Sequence, residues 1–550
     1  MGVSIKSFKI KYTSYQVFKR IRLFFSVAFI NKRNGLVGRL LFMAVLSINV
    51  TSAQRAPLKA APDKSVKQPN IIVFTVDDMG WQDTSVPFWT ERTKNNDKFH
   101  TPNMERLADE GMKFTNAHAY PVCSPSRVSY ITGMNAARHR VTNWTLRKNI
   151  STDAKNERLD PPNWNLNGLS PELGIDRTVF AKPFPQVLKD NGYFTIHIGK
   201  AHFGAQGTPA ADPTSLGFDI NVAGSEIGGL GSYLGTQNFS AAWRGADRIW
   251  DVPDLEKYHG EHIFLTEALT IEAKIAMRKA LSKNKPFFLN MSHYAVHIPF
   301  ARDERFIKKY LDRGYEATEA MYAALIEGVD KSLGDIMDFI MTEGIKDNTV
   351  VIFISDNGGL SNHARSGELE TQNYPLRYGK GSLWEGGIRV PMIVSRPGAV
   401  PPHSICNDPV IIEDFCPTIL ELASIRKYKV PQVIDGKSFV PLLKGEKVVK
   451  GRAMVWHSPN SWVGESNGYG PGSAITLGDW KLICLYTHNE SYLYNIKDDI
   501  GEQINLINEY KAIAINLAKE LTYLLKERGA QMPIVRSTGM TVPWPSASVL

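Results

Sequence analysis

The sequence predicts an α/β fold, in which buried strands of a mainly parallel sheet alternate with helices. Residues 70–76, 286–292 and 350–355 are apolar runs. Runs without polar alternation are typical of strands that are covered on both faces of a parallel sheet. Helices are predicted over 104–111, 184–191 and 318–342, ahead of or between strand runs, and this alternation is the pattern of an α/β domain.

The character of the chain changes after about residue 445. Short β-like runs occur around Trp456, Ile475, 480–483 and 492–495, separated by Gly, Asn and Asp, and an apolar and charged helix is predicted over 509–527. We therefore expect a smaller antiparallel sheet capped by a helix. The predicted organisation is a leader over 1–53, a linker over 54–69, a main domain over 70–445 and a C-terminal subdomain over 446–550.

The basic charge of the chain is confined to its first segment. The formal net charge is +9, and residues 1–53 contain nine Lys or Arg and no Asp or Glu, so the remainder is neutral. A nucleic-acid partner is therefore not indicated. An apolar run at 40–46, followed by small residues at 51–53, predicts a cleaved signal peptide and export to the periplasm or medium. A membrane anchor is the alternative, but the run is about half the length that spans a bilayer, so no stable insertion is expected.

Export would place the four cysteines in an oxidising compartment, where Cys406 and Cys416 could pair. The alternative, which we favour, is that Cys416 is a core residue beside the helix beginning at Pro417.

Polar side chains follow two of the apolar runs directly. Asp77 and Asp78 follow the first run, and Asp356 and Asn357 follow the last. The carboxyl ends of parallel strands meet at one edge of a sheet, so these side chains should lie close together. Carboxylate and amide oxygens suit Ca²⁺ or Mg²⁺ and not zinc. Taken alone, Asp77 and Asp78 could equally form a turn or a helix N-cap.

The chain resembles the type I sulfatases, in particular exported bacterial polysaccharide sulfatases. Six segments in the family's order carry this resemblance, which covers about 70 to 527: Asp77-Asp78-Met79-Gly80-Trp81, Cys123-Ser124-Pro125-Ser126-Arg127 with Thr132-Gly133, Gly199-Lys200-Ala201-His202-Phe203-Gly204, His297-Ile298-Pro299-Phe300, Ser355-Asp356-Asn357-Gly358-Gly359, and the segment from Gly379-Lys380-Gly381 to Pro391.

The resemblance implies an alkaline-phosphatase-like sandwich and a specific chemistry. A formylglycine-generating enzyme would convert Cys123 to formylglycine, whose hydrate attacks the sulfur of a sulfate ester. One Ca²⁺ would be held by Asp77, Asp78, Asp356, Asn357 and an oxygen at position 123. Asp356 would also accept the proton of the attacking hydroxyl.

The remaining roles that the resemblance implies belong to basic side chains. His297 would protonate the departing alcohol, with Lys380 beside it. His202 would deprotonate the second hydroxyl of the hydrate, so that the aldehyde re-forms and sulfate leaves. Lys200 and Arg127 would supply positive charge around the hydrate and the sulfate. His139 follows Cys123 at a spacing that resembles the family's next basic cluster, and it would support the aldehyde indirectly.

The expected substrates are sulfated polysaccharides or oligosaccharides of algae, such as ulvan, carrageenan or fucoidan, with host glycosaminoglycans as an alternative. A long segment over 210–235, rich in glycine, is predicted to shape the mouth of the site. The candidates for sugar recognition are His363, Arg365, Arg377, Trp144 and Trp384. Two other functions stay open: a phosphatase or phosphonate monoester hydrolase on the same scaffold, and a binding protein whose cysteine is never oxidised.

Overall fold

The structure is a computed structural model that describes residues 68–361, 365, 371–446, 451–463 and 468–549. The predicted leader, nearly all of the linker, and His363 lie outside the described residues. Lys67–Leu550 forms one compact unit.

The strands follow the apolar runs of the sequence. In chain order they are β1 (Asn70–Val76), β2 (Met112–His118), β3 (Leu159–Asp160), β4 (Leu169–Ser170), β5 (Val179–Phe180), β6 (Phe194–Gly199), β7 (Ile220–Val222), β8 (Phe287–Ser292), β9 (Thr349–Ser355), β10 (Arg389–Ser395), β11 (Ser404–Cys406), β12 (Val410–Ile411), β13 (Ala453–Ser458), β14 (Gly472–Leu477), β15 (Trp480–Leu485), β16 (Glu490–Asn495) and β17 (Ile534–Val535).

The large sheet has the order β11-β2-β10-β9-β1-β8-β6-β7, with β12 also beside β2. Its neighbouring strands are parallel except β10, which runs antiparallel to both β2 and β9. The predicted mainly parallel sheet is therefore confirmed. β1 lies between β8 and β9, which explains why all seven of its residues are buried.

The α-helices of the described residues are α1 (Lys94–Lys98), α2 (Pro102–Asp109), α3 (Cys123–Thr132), α4 (Ala136–His139), α5 (Phe184–Asp190), α6 (Leu265–Ser282), α7 (Ile307–Asp312), α8 (Ala317–Thr342), α9 (Glu385–Ile388), α10 (Phe415–Leu422), α11 (Val440–Leu443), α12 (Lys511–Glu527) and α13 (Pro545–Ser548). The four helices predicted at 104–111, 184–191, 318–342 and 509–527 correspond to α2, α5, α8 and α12, with starts that differ by at most two residues. Among the described residues, no helix combines the length and the apolar character that a bilayer crossing requires.

Side chains alternate across the large sheet and bury against helices on both faces. Ile71 and Val73 of β1 belong to a core with α3, α5 and α10. Ile72 and Phe74 belong to a second core with α2, α6 and α8. Successive side chains of a strand point to opposite faces, so each face of β1 meets its own layer of helices. This three-layer arrangement leaves only the strand ends free to form a site.

The cysteines are free thiols. The pairing of Cys406 with Cys416 is therefore wrong, and the favoured alternative holds. Cys416 is buried on α10, beside Gly133 at the end of α3.

The C-terminal sheet is antiparallel, in the order β13-β14-β15-β16, and α12 packs on it. A buried ionic cluster joins this sheet to α9. Lys481 of β15 lies 2.8 Å from Glu385 of α9 and 2.8 Å from Glu502, and all three side chains are at most 1% exposed. Glu385 also binds Arg389 and His118. Lys481 and Arg389 together balance the charges of two acids that water cannot reach.

We expect Lys481→Met to destabilise the protein by about 3–5 kcal/mol, because removing one partner of a buried pair leaves uncompensated charge. The measurement is the free energy of unfolding by denaturant. Lys519→Met, at an exposed position of α12, is the matched control. A loss no larger than that of the control would contradict this account of the junction.

Candidate active site

Polar side chains converge where the parallel strands end. Asp77 and Asp78 follow β1, Asp356 and Asn357 follow β9, and Lys200 follows β6. Because β9, β1, β8 and β6 are consecutive parallel strands of one sheet, their carboxyl ends share one edge. The structure thus brings together the residues that the sequence selected from segments far apart in the chain.

Cys123 is the first residue of α3, a helix whose ten residues are all buried. Its Sγ lies 3.8 Å from Oδ1 of Asp77. The N-terminus of a helix carries a partial positive charge, so negative charge that develops at this position is stabilised. Burial raises the pKa of the thiol to about 11, so at neutral pH the unmodified cysteine is protonated and a poor nucleophile. If Cys123 were converted as the resemblance implies, an aldehyde or hydrate oxygen would take the place of this Sγ.

Three buried ion pairs surround this thiol. Lys200 Nζ lies 2.6 Å from Asp77, Lys380 Nζ lies 2.6 Å from Asp78, and Arg127 Nε lies 2.8 Å from Asp356. Arg127 also donates to the carbonyl of Lys200 and to the hydroxyl of Ser292. Its Nη2 is buried and has no partner among the described residues. The three pairs are formally neutral, and one guanidinium nitrogen is left free.

The oxygen atoms of this cluster fit a hard cation. The donor atoms of Asp77, Cys123 and Asp356 lie within 4.8 Å of one another. Asn357 donates from Nδ2 to Asp78 at 2.8 Å, while its Oδ1 is buried without a partner in this part of the chain. A buried acceptor without a donor costs free energy, and a cation would remove that cost. The donor set is therefore the one that Ca²⁺ or Mg²⁺ prefers.

The carboxylates differ in their electrostatics. Burial raises the pKa of Asp77 well above its usual range despite Lys200. Burial acts in the same direction on Asp78, but there the charges of Lys380 and His297 outweigh it and lower the pKa. Asp78 also has a left-handed backbone, with φ of 66°, a conformation that non-glycine residues seldom adopt. Such strain concentrates at functional sites.

His202 lies above the start of α3. Its Nε2 contacts the carbonyl of Thr145 at 2.8 Å and the hydroxyl of Ser124 at 3.1 Å. A carbonyl only accepts, so Nε2 carries the proton and Nδ1 is the basic nitrogen. Nδ1 is buried and has no partner among the described residues. Burial lowers the pKa of His202 well below its usual range, so the ring is neutral and Nδ1 keeps a free lone pair.

His297 reaches the other side of the cluster. Its Nδ1 lies 2.7 Å from the carbonyl of Ile298, so Nδ1 carries a proton, and its Nε2 lies 3.7 Å from Asp78. Burial and the charge of Lys380 lower the pKa of His297 to about 3. The proton donation predicted from the sequence requires the imidazolium, which the bound negative charge of a substrate would favour.

His139 braces the helix that begins at Cys123. Its Nδ1 accepts from the backbone of Val141 at 3.0 Å, and its Nε2 lies 2.9 Å from the hydroxyl of Ser129 on α3. Both ring nitrogens therefore form hydrogen bonds to groups other than the Cys123 thiol. His139 is a positioning residue for α3 and touches no reacting atom.

Glycines of the predicted mouth segment pack against both active-site histidines. A side chain at Gly228 would approach His202 to 2.3 Å, and one at Gly229 would approach His297 to 3.1 Å. Only a residue without Cβ permits this approach at Gly228. The predicted loop over 210–235 also contains β7 and two short 3₁₀ turns. Its glycine-rich half forms the cover over His202 and His297.

The predicted sugar-binding residues are divided by the structure. The prediction that Arg365 contacts the sugar is wrong, because this side chain is buried and forms ion pairs with Asp83 and Glu319. Trp384 is only 1% exposed, but it lines a cavity together with Arg377. Arg377 also packs on Tyr378 and donates to the carbonyl of Glu502. A sugar contact at these two residues stays a prediction. Trp144 is half-buried and lies beside Trp250.

Several residues at the site had no signal in the sequence. Ser124 and Thr145 hold His202, and Ser292 holds Arg127. Trp462, which follows β13, lies 5.7 Å from Nζ of Lys380, measured to the ring centroid. Nothing in the residue type or spacing distinguishes these positions; only the Cys123 motif pointed near Ser124.

The sheet edge, the buried cysteine and the hard-oxygen donors define a metal-assisted hydrolase of anionic esters with an alkaline-phosphatase-like fold. Residues 69–425 match the family model described as sulfatase, and residues 376–528 match the model of the C-terminal part of N-sulphoglucosamine sulphohydrolase. The chain belongs to the sulfatase family. It is a sulfuric ester hydrolase, and formylglycine and a divalent metal are features of that family.

Relatives of known structure or curated sequence agree with this assignment. A sulfatase of Formosa agariphila is 29% identical over 87% of this chain and 92% of its own length. The N-acetylgalactosamine-6-sulfatase of Mus musculus is 29% identical over 77% of this chain and 73% of its own length. The crystal structure of Ps i-CgsB in complex with k-i-k-neocarrahexaose aligns with a TM-score of 0.66 and 26% identity, over 84% of this chain and 94% of that one.

Proposed function

We propose that the protein removes sulfate from sulfated polysaccharides or their oligosaccharides, through a formylglycine made from Cys123 and one Ca²⁺ held by Asp77, Asp78, Asp356 and Asn357. The observation that carries this proposal is the placement of Cys123 at a helix N-terminus among three formally neutral ion pairs. Maturation by a formylglycine-generating enzyme and export of the chain are part of the proposal.

The charge balance of the site fits an anionic ester. Since Lys200, Lys380 and Arg127 offset the three aspartates, the charge of a divalent cation is left over to bind the anion. The preference for a sulfate ester rests on Cys123, the precursor of the proposed formylglycine, and on the match to the sulfatase family model.

The side chains then divide the work. When bound, the divalent cation would polarise a sulfate oxygen and lower the cost of ionising the hydroxyl at position 123, whose proton Asp356 would accept. Arg127, through its free Nη2, and Lys200 hold the anionic group in place. His297, with Lys380 beside it, delivers a proton to the departing alcohol oxygen. His202, through its unpartnered Nδ1, takes up a proton from position 123 in the second half of the reaction.

Calcium is proposed over magnesium because the donors form a buried cage of protein oxygens. Asp77, Asp78, Asp356 and Asn357 are each at most 2% exposed. Magnesium gives up its water reluctantly and is seldom held by such a cage, whereas Ca²⁺ accepts six to eight oxygens in flexible geometry.

The proposed substrate class is an algal sulfated glycan such as carrageenan, fucoidan or ulvan. Support comes from the likeness to Ps i-CgsB, whose crystal structure contains a neocarrahexaose. Glycosaminoglycans are the second candidate, favoured by the likeness to N-acetylgalactosamine-6-sulfatase and by the match of the C-terminal residues to N-sulphoglucosamine sulphohydrolase. Sulfate release from a panel of defined oligosaccharides of both classes separates these candidates.

The reaction class is tested with a matched pair of aryl esters. We expect the converted enzyme with Ca²⁺ to hydrolyse 4-nitrophenyl sulfate with a kcat/KM at least about 100-fold above that for 4-nitrophenyl phosphate. This ratio corresponds to a difference of about 2.7 kcal/mol in activation free energy. Faster hydrolysis of the phosphate would overturn the proposal in favour of a phosphatase. Mass spectrometry of the Cys123 peptide tests the other alternative: an unmodified thiol throughout protein from the native host would favour a binding protein whose cysteine is never oxidised.

A further inference from the structure

Two tryptophans, Trp144 and Trp250, form an aromatic wall beside His297, the residue proposed to protonate the departing alcohol. The rings of Trp144 and Trp250 lie 6.2 Å apart, and both are half-buried. Trp144 precedes Thr145, whose carbonyl contacts His202. Gly229 connects Trp250 to His297, because a side chain there would lie 3.1 Å from His297 Cε1 and 3.7 Å from Trp250 Cζ3. The wall therefore adjoins both histidines.

Arg244 extends this wall into solvent. Its guanidinium carbon lies 4.7 Å from the ring centroid of Trp243 and 5.5 Å from that of Trp250. Trp243 is 61% exposed, and its indole nitrogen donates to the carbonyl of Gly231 in the glycine-rich cover. The cation is thus held by two indole faces and anchored to the loop that covers the histidines.

Arg244 differs from two nearby arginines in having no acidic partner among the described residues. Arg147 pairs with Asp247 at 2.5 Å, and Arg248 donates to Ser240 and lies 3.9 Å from Asp251. Within the described ranges, Arg244 has no ion pair, and burial lowers its pKa with no carboxylate to oppose the effect. A cation oriented by aromatic rings but left without a counter-ion is suited to an anion from outside the chain.

We propose that Trp144, Trp250 and Arg244 form a subsite for a second sulfated sugar unit, next to the unit whose sulfate is removed. This inference rests on the proposed function, because it takes His297 to face the departing sugar oxygen. The indole faces of Trp144 and Trp250 cover the apolar face of a sugar ring, and the guanidinium of Arg244 binds the sulfate of that ring. The enzyme therefore selects oligosaccharides with sulfate on adjacent units over those with sulfate on alternate units.

Equilibrium binding tests the subsite without turnover. In a Cys123→Ala background with Ca²⁺, calorimetry compares two carrageenan hexasaccharides, one with one sulfate per disaccharide and one with two, and a chondroitin sulfate hexasaccharide as a third probe. We expect the more highly sulfated carrageenan to bind more tightly, and Arg244→Gln to weaken its binding about 10-fold or more while weakening the less sulfated one by less. Trp250→Ala should weaken both.

Arg278→Gln is the matched control, because it removes one positive charge from an exposed, ion-paired arginine of α6. We expect it to leave all three affinities unchanged. Equal weakening of both carrageenans by Arg244→Gln, an effect no larger than that of Arg278→Gln, or no binding of any probe would overturn the subsite. Failure of the proposed function itself is seen separately, as absence of aryl sulfate turnover by the converted enzyme.

Discussion

Cys123→Ala is expected to abolish sulfate ester hydrolysis, with a loss of about 10⁴-fold or more in kcat, because it removes the only atom from which the proposed nucleophile is made. The fold should survive, since the one hydrogen bond recorded for the Sγ among the described residues is a long contact of 3.8 Å with Asp77. The measurements are 4-nitrophenyl sulfate turnover and the midpoint of thermal unfolding.

Cys406→Ser is the control for this variant. Cys406 is also a buried free thiol, but it lies on β11, which β2, β10 and β9 separate from β1 in the sheet. Its turnover should equal that of the parent. Substantial hydrolysis by Cys123→Ala, with a melting midpoint near that of the parent, would show that another group attacks the sulfate.

Asp356→Asn is expected to lower kcat/KM by about 10³-fold at low Ca²⁺. The change removes one negative donor from the cluster and leaves Arg127, which is 2.8 Å away, without its counter-charge. Ligand charge tunes calcium affinity, so the variant should need a higher free Ca²⁺ concentration for half-maximal activity. The measurement is turnover as a function of free Ca²⁺, for parent and variant.

The calcium dependence separates a metal ligand from a merely structural residue. Asp338→Asn removes an exposed carboxylate that pairs with Arg106, and it should leave the calcium curve unchanged. If Asp356→Asn lost activity with the same half-saturating Ca²⁺ as the parent, the loss would come from Arg127 or from packing, and Asp356 would not be a ligand.

Strand ends are the part of this site that sequence reasoning located best. A run such as 70–76 is apolar throughout because β1 is covered on both faces, and the first polar residues after it, Asp77 and Asp78, fall at the sheet edge. Asp356 and Asn357 were located by the same argument, because β9 is also buried along its whole length and ends just before them. Periodicity also located α8 and α12, with starts within two residues, because long helices bury a regular stripe.

Side chains on long connections could not be located in this way. Arg365 was expected at the substrate, but Asp83, which is 282 residues away in the chain, and Glu319 neutralise it in the interior. Trp250 was not selected, although it adjoins His297 through Gly229. The identity of a loop residue does not determine whether a distant carboxylate or glycine will meet it. Such contacts depend on how the whole chain packs.

The central claim is that an aldehyde derived from Cys123 performs the hydrolysis. Its most direct test is to prepare the protein with graded amounts of formylglycine-generating enzyme and to measure, in each preparation, the converted fraction of the Cys123 peptide by mass spectrometry and the rate of aryl sulfate hydrolysis. The account predicts a rate proportional to the converted fraction and extrapolating to zero for the unmodified thiol. A rate independent of conversion would contradict it.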